Sequence, residues 1–184
     1  WARGRAPEDT ARLVFNGRQV RIAPDRMFFI AFDRDAAGRA ELLAETRDGG
    51  MVRGQFAIAP RSWQIERIPI GPRPGATPSE EFARRREGEL AQINAARARD
   101  NPVEGWQQKF IFPAFGRISG RFGSQRIYNG TPGAYHSGMD IATGTSGTPF
   151  VAPADGVVIL AAESSFTLEG RLLMIDHGMG LNSA

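Results

Sequence analysis

The chain is 184 residues long, with no cysteine, two histidines, and 23 basic against 20 acidic side chains. That length suffices for one ordinary domain or two small ones, with a core that needs no disulfide or structural metal. The lack of cysteine excludes thiolate zinc sites, iron–sulfur clusters, cysteine nucleophiles and disulfide scaffolds. Any metal or general-base chemistry within these residues falls to His136, His177 and carboxylates. All the basic residues except Lys109 are arginine, and the densest cluster, Arg84-Arg85-Arg86, is flanked by Glu80, Glu81, Glu87 and Glu89. A net charge of +3 so distributed is not the one-signed face that nucleic acid requires, so no nucleic-acid partner is expected. No apolar run approaches the roughly 18 residues that would span a bilayer. The chain opens at Trp1 without an initiator Met, the pattern of a removed leader or a trimmed start.

Residues 1–70 are expected to form a β-rich N-terminal domain. Leu13-Val14-Phe15 and Gln19-Val20-Arg21-Ile22 flank Asn16-Gly17, the strongest short hairpin signal. Met27 to Phe32 is an apolar run too short for a helix and suits a buried strand. Leu42 to Thr46 and Met51 to Ile58 flank the turn Asp48-Gly49-Gly50, and Trp63, Ile65 and Ile68 close the segment. Strands at this spacing predict a small β-sandwich whose default role is scaffolding.

Residues 71–109 read as a Pro/Gly linker and a helix. The break runs from Ile70 to Pro78. Thr77 is the expected N-cap, with Pro78 at the first position and Glu80 completing a capping box. Phe82, Leu90 and Ile93 lie near one face, Gly88 costs the middle about 1 kcal/mol, and Asn101-Pro102 ends the helix. It reads as a spacer arm or as a helix lying across a domain.

Residues 110–184 return to a β pattern rich in glycine. Ile118 and Phe122-Gly123 precede a loop from Ser124 to Ala134, followed by an extended His136 to Ala142 and a turn from Gly144 to Gly147. Pro149 to Ala152, Gly156 to Ala161 and Leu172 to Ile175 follow, the last leading into Asp176-His177-Gly178. Phe112, Phe115 and Phe122 are expected in the core, and Asp155 and Asp176 are expected to cap turns.

The chemistry concentrates in Tyr135-His136-Ser137-Gly138-Met139-Asp140-Ile141-Ala142. Four residues apart, His136 and Asp140 share a face in helix or strand, and Gly138 and Ile141 favour the strand. An imidazole nitrogen with a carboxylate oxygen is a natural ligand pair for Zn²⁺. A hydrogen-bonded His–Asp pair in a loop is the ordinary alternative. Arg117, Arg121 and Arg126 are candidates to meet carboxylates of a peptide or wall polymer, with solvated surface as their default, and Tyr135 is a candidate to line a cleft.

The ordered series Gly116 to Gly123, the loop, His136-Ser137-Gly138-Met139-Asp140-Ile141-Ala142, and Gly147 to Val158 closely resembles the catalytic domain of lysostaphin/LytM-type zinc metallopeptidases, the bacterial cell-wall endopeptidases. Leu173 to Leu181 is similar to that family's following hairpin, so the resemblance covers residues 110–184. Residues 9–70 resemble, less specifically, the β-rich region that precedes this domain in some Gram-negative members. The resemblance implies a mainly β fold: a sandwich-like N-terminal domain, a linker helix and a partial lysostaphin-like (duplicated hybrid motif) antiparallel β domain. It implies Zn²⁺ as cofactor and His136 and Asp140 as its first two ligands. The family's third ligand ends a His-x-His pair, and that pair and the other catalytic histidine are expected beyond Ala184. The catalytic residues are therefore unknown within this chain, which alone is expected to be inactive.

His177 matches a turn position that is not a ligand in the family. The rival is a metal held by His136, Asp140 and His177 together. The implied protein is a periplasmic or secreted endopeptidase cutting peptidoglycan stem-peptide cross-links. The alternatives are a non-catalytic wall-binding or hydrolase-regulating relative and, more weakly, a carbohydrate-binding module. A β domain stopping at Ala184 is expected to leave an open edge, which a second chain supplying further strands and histidines would cover.

Overall fold

A computed structural model describes residues 1–70 and 79–184 and shows a mainly β protein with one α-helix among the described residues. Two compact units divide at Trp63/Gln64. The expected break from Ile70 to Pro78 lies largely outside the described residues, as do Thr77 and Pro78.

The first unit, Trp1–Trp63, holds β1 (Ala2–Arg5), β2 (Thr10–Phe15), β3 (Arg18–Val20), β4 (Met27–Ile30), β5 (Arg39–Thr46) and β6 (Met51–Ala57). Strands run β3-β2-β5-β6 in a four-stranded antiparallel sheet and β1-β4 in a pair. Between β2 and β3, Asn16 and Gly17 both have positive φ (45° and 80°), the geometry that joins twisted strands with two residues. Leu13 and Ala44 from the larger sheet and Phe28 and Ile30 from the smaller bury into one core. Strand β1 was not legible from the sequence: Ala-Arg-Gly-Arg carries little β propensity, and its pairing with the apolar β4 overrides that.

The second unit, Gln64–Ala184, begins with β7 (Ile65–Ile68), which thus lies outside the first unit although it falls within the expected N-terminal domain of residues 1–70. It pairs in parallel with β9 (Gln125–Tyr128), which in turn pairs with β10 (Thr131–Tyr135). The expected loop from Ser124 to Ala134 is thus a second Asn-Gly hairpin, with Asn129 and Gly130 at φ 46° and 85°. Pro132 and Gly133 mask its β character, and Pro is tolerated because β10 is an edge strand. Strand β8 (Arg117–Gly120) pairs with β11 (Asp140–Ala142), and β12 (Val157–Ala161), β13 (Leu173–Asp176) and β14 (Asn182–Ser183) form a third small sheet.

Helix α1 spans Glu80–Arg97. Its N-cap is Ser79, whose Oγ accepts from the Phe82 backbone N–H at 3.1 Å, and Ala98 caps its end. The buried face is Glu89, Ile93 and Ala96; of the expected Phe82, Leu90 and Ile93 only Ile93 is fully buried, and Leu90 is exposed. Ile93 and Ala96 pack on Ile159, Phe166, Leu172 and Met174. Glu89 tolerates burial because its carboxylate is fully engaged. It accepts from the Thr167 N–H (2.8 Å) and hydroxyl, and pairs with Arg85 (3.1 Å) and Arg86 (3.3 Å). Arg86 also grips Glu169 through both its terminal nitrogens, at 2.6 and 2.7 Å. The helix is a wall of this unit, not a spacer arm.

The expected phenylalanine core is not formed: Phe112 is 62% and Phe115 97% exposed, and Phe122 is also partly exposed. The 110–115 segment is held by its backbone, the Ile111 N–H donating to Pro153 O and the Val151 N–H to Pro113 O. Those bonds need no side-chain burial, and the rings ride on the surface.

Candidate metal centre

His136 follows directly on β10, and Asp140 opens β11. They do not share the single strand expected from their spacing; Ser137–Met139 carries the chain between two sheets. The His136 backbone is fixed against the opposite loop, its N–H donating to Ser124 O and its carbonyl accepting from Gly123 N–H, both at 2.8 Å. Asp140 is fixed by its pairing with Gly120 on β8. Two strand ends thus bring the imidazole and the carboxylate together.

His136 Nε2 stands 3.3 Å from Asp140 Oδ2. The pair lacks the alignment of a hydrogen bond, and Nε2, although shielded from solvent, has no hydrogen-bond partner. Such an orphaned nitrogen is unusual. Two donors on one tetrahedral zinc, with bonds of about 2.0–2.2 Å, stand roughly 3.3–3.6 Å apart, so the observed separation suits two ligands of one ion. Gly120 lies against both groups: a Cβ there would come within 2.4 Å of Asp140 Oδ2 and 3.0 Å of His136 Nε2. A glycine in a strand marks such a close approach, and Gly120 was the site residue that sequence reasoning missed. Among the described residues, no group of three His, Cys, Asp or Glu side chains could hold a metal.

His177 stays out of this site. It is fully buried, with Nδ1 2.8 Å from Asp155 O and Nε2 2.9 Å from Ser183 Oγ. A carbonyl can only accept, so Nδ1 donates its proton to Asp155 O, and Nε2 shares a hydrogen bond with the serine hydroxyl. Phe110 meets the ring edge-on at 4.7 Å between centroids. Both nitrogens are committed to the fold, which removes the rival set of His136, Asp140 and His177.

Asp155 and Asp176 act as turn anchors. Asp155 pairs with Gln108 through its backbone N–H and its carboxylate. Asp176 accepts from Gly178 N–H (2.9 Å) and from the N–H and side chain of Asn101 (2.8 and 2.9 Å). Burial alone would raise the Asp176 carboxyl; the hydrogen bonds from Asn101 and Gly178, with His177 nearby, outweigh it and hold it below the ordinary carboxylate range.

His136 and Asp140 line a cleft of about 760 Å³, shared with Arg117, Arg121, Arg126, Tyr128 and Tyr135. Strand β7 contributes Glu66, whose carboxylate holds Arg126 Nε at 2.8 Å. The hydrogen bond and charge of Glu66 and a bond to Tyr128 favour the charged guanidinium and push Arg126 further up. Tyr135 lines the cleft and meets Phe122 edge-on at 6.0 Å. No protein-family model and no curated protein matches the chain. Among the described residues, no helix is long and apolar enough to cross a membrane.

Proposed function

We propose that this chain carries the first two protein ligands of a zinc hydrolase site, and that the site belongs to a bacterial cell-envelope endopeptidase acting on peptidoglycan cross-links. The observation that carries the reading is the His136–Asp140 pair: an unpartnered, shielded imidazole nitrogen at ligand-to-ligand distance from a carboxylate. The stem-peptide substrate and the periplasmic or secreted location rest on the resemblance of residues 110–184 to lysostaphin/LytM-type enzymes. His136 would hold the ion through Nε2, with its ring proton on Nδ1. Asp140 adds a carboxylate oxygen and a negative charge, and Gly120 keeps the space between them clear. When bound, zinc polarises a scissile carbonyl and acidifies a water, the chemistry of metal-assisted peptide hydrolysis.

A catalytic zinc takes three protein ligands. The proposal therefore draws the third ligand and a general base from residues outside this sequence, on the same polypeptide or a second one. The 184-residue chain alone is expected to bind zinc and not to cleave. The second reading is a non-catalytic wall-binding or hydrolase-regulating relative, in which the pair binds no zinc.

Calorimetric titration of zinc into chelator-treated protein separates these readings. One site per chain is expected, weakened at least about tenfold by His136→Ala and by Asp140→Ala. No zinc binding, or binding indifferent to both substitutions, would overturn the metal site. Cleavage of cross-linked peptidoglycan by the isolated chain would overturn the two-ligand account.

A further inference from the structure

Three arginines line the His136–Asp140 cleft, and their states differ. Arg126 is held by Glu66 at 2.8 Å. Arg117, at the start of β8, and Arg121, directly after its end, are exposed, and neither guanidinium has a hydrogen bond or ion pair among the described residues. Elsewhere in the same unit arginines are spent on structure, as Arg85 and Arg86 are on Glu89 and Glu169. An unspent guanidinium offers a flat fork of donors that matches a carboxylate in two-point contact. The cleft's own carboxylates do not serve it: Glu66 is engaged by Arg126, and Asp140 stands against His136.

We infer that Arg117 and Arg121 form the specificity element of this cleft, selecting peptides that carry a free carboxylate, while Glu66 withholds Arg126 from the ligand. The inference deepens the proposed peptidase reading and rests on it for the peptide nature of the ligand; the carboxylate preference rests on the arginines alone. Glu66 belongs to β7, so a strand that precedes the helix in the chain sets how many cations the cleft presents.

The test uses the metal-free 184-residue chain under chelator, which keeps it independent of zinc. N-acetyl-trialanine with a free C-terminal carboxylate, its C-terminal amide, and inorganic phosphate are titrated while backbone amide NMR shifts are followed. The acid is expected to bind more tightly than the amide, with shifts centred on β8, and more tightly than phosphate. Arg117→Gln and Arg121→Gln should each cost roughly fivefold in acid affinity and leave the amide unchanged. Both side chains are exposed and unpaired among the described residues, so the melting temperature of either variant should match that of the parent. Glu66→Gln should release Arg126 and tighten the acid roughly threefold. Equal binding of acid and amide, discrimination that survives in the double arginine variant, or phosphate binding as tight as the acid overturns the inference. An unchanged acid affinity in Glu66→Gln overturns the withholding role of Glu66. Failure of zinc to bind, with acid selectivity retained, counts against the metal site alone.

Discussion

The two histidines of this chain sit in the same structural unit and have opposite surroundings. His177 is fully buried, both ring nitrogens are hydrogen-bonded, and an aromatic ring closes over it. His136 is partly exposed, and its Nε2 is shielded yet unpartnered beside a carboxylate. An imidazole's availability is decided by what its nitrogens already hold. A nitrogen that has met its partner within the fold contributes stability and has no lone pair to offer; one that has not is free for a ligand.

The contrast is broken most directly by removing each ring. His177→Ala should cost the second unit about 3 kcal/mol, by combining a cavity with a stranded carbonyl and hydroxyl. His136→Ala should change stability by less than about 0.5 kcal/mol. Urea unfolding of the two variants measures both, and equal costs would erase the distinction.

Asp176, adjacent to His177, sharpens it through pH. Its carboxyl lies below the ordinary range in the folded state, so its stabilising effect is complete above the unfolded value and is lost as pH falls through the folded one. Stability should hold from neutral pH to about pH 5 and decline below about pH 4. Asp176→Asn should cost about 2 kcal/mol at pH 7 and flatten that decline, as read by thermal melts across the acid range.

Gly120→Ala tests the other side. The new methyl meets the mobile end of Asp140, so the carboxylate swings away from His136. Stability should fall by about 1 kcal/mol or less, and zinc affinity at least about tenfold. The smallest effect is expected at Phe115, which is 97% exposed: Phe115→Ser should shift stability by less than about 0.5 kcal/mol.

Legibility of the fold followed the strength of local signals. Asn16-Gly17 between apolar runs announced its hairpin, whereas Asn129-Gly130 with the same backbone did not, because Pro132 and Gly133 interrupt the flanking strand. The mainly β class was plain from the spacing of short strands. The membership of β7 was not: its partner β9 is distant in the chain, and no local pattern records a long-range parallel pairing. Phe112 and Phe115 depart from the expected core because a hydrophobic side chain need not be buried; the rule runs one way only. At the candidate site, residue type and spacing picked out His136 and Asp140. That they would meet from the ends of two strands, with Gly120 between them, required the register of β8 against β11.

The pairing of β7 with β9 also has a temporal side. The Glu66–Arg126 bond closes a separation of 60 residues, whereas the β9–β10 hairpin closes across a two-residue turn. Distant pairings carry the larger loop-closure cost and slow folding. One wall of the cleft is therefore a late event in assembly. During refolding, the β9–β10 hairpin and the β8–β11 pair should form before β7 docks, so the cleft would present all three arginines before Glu66 takes Arg126 out of play.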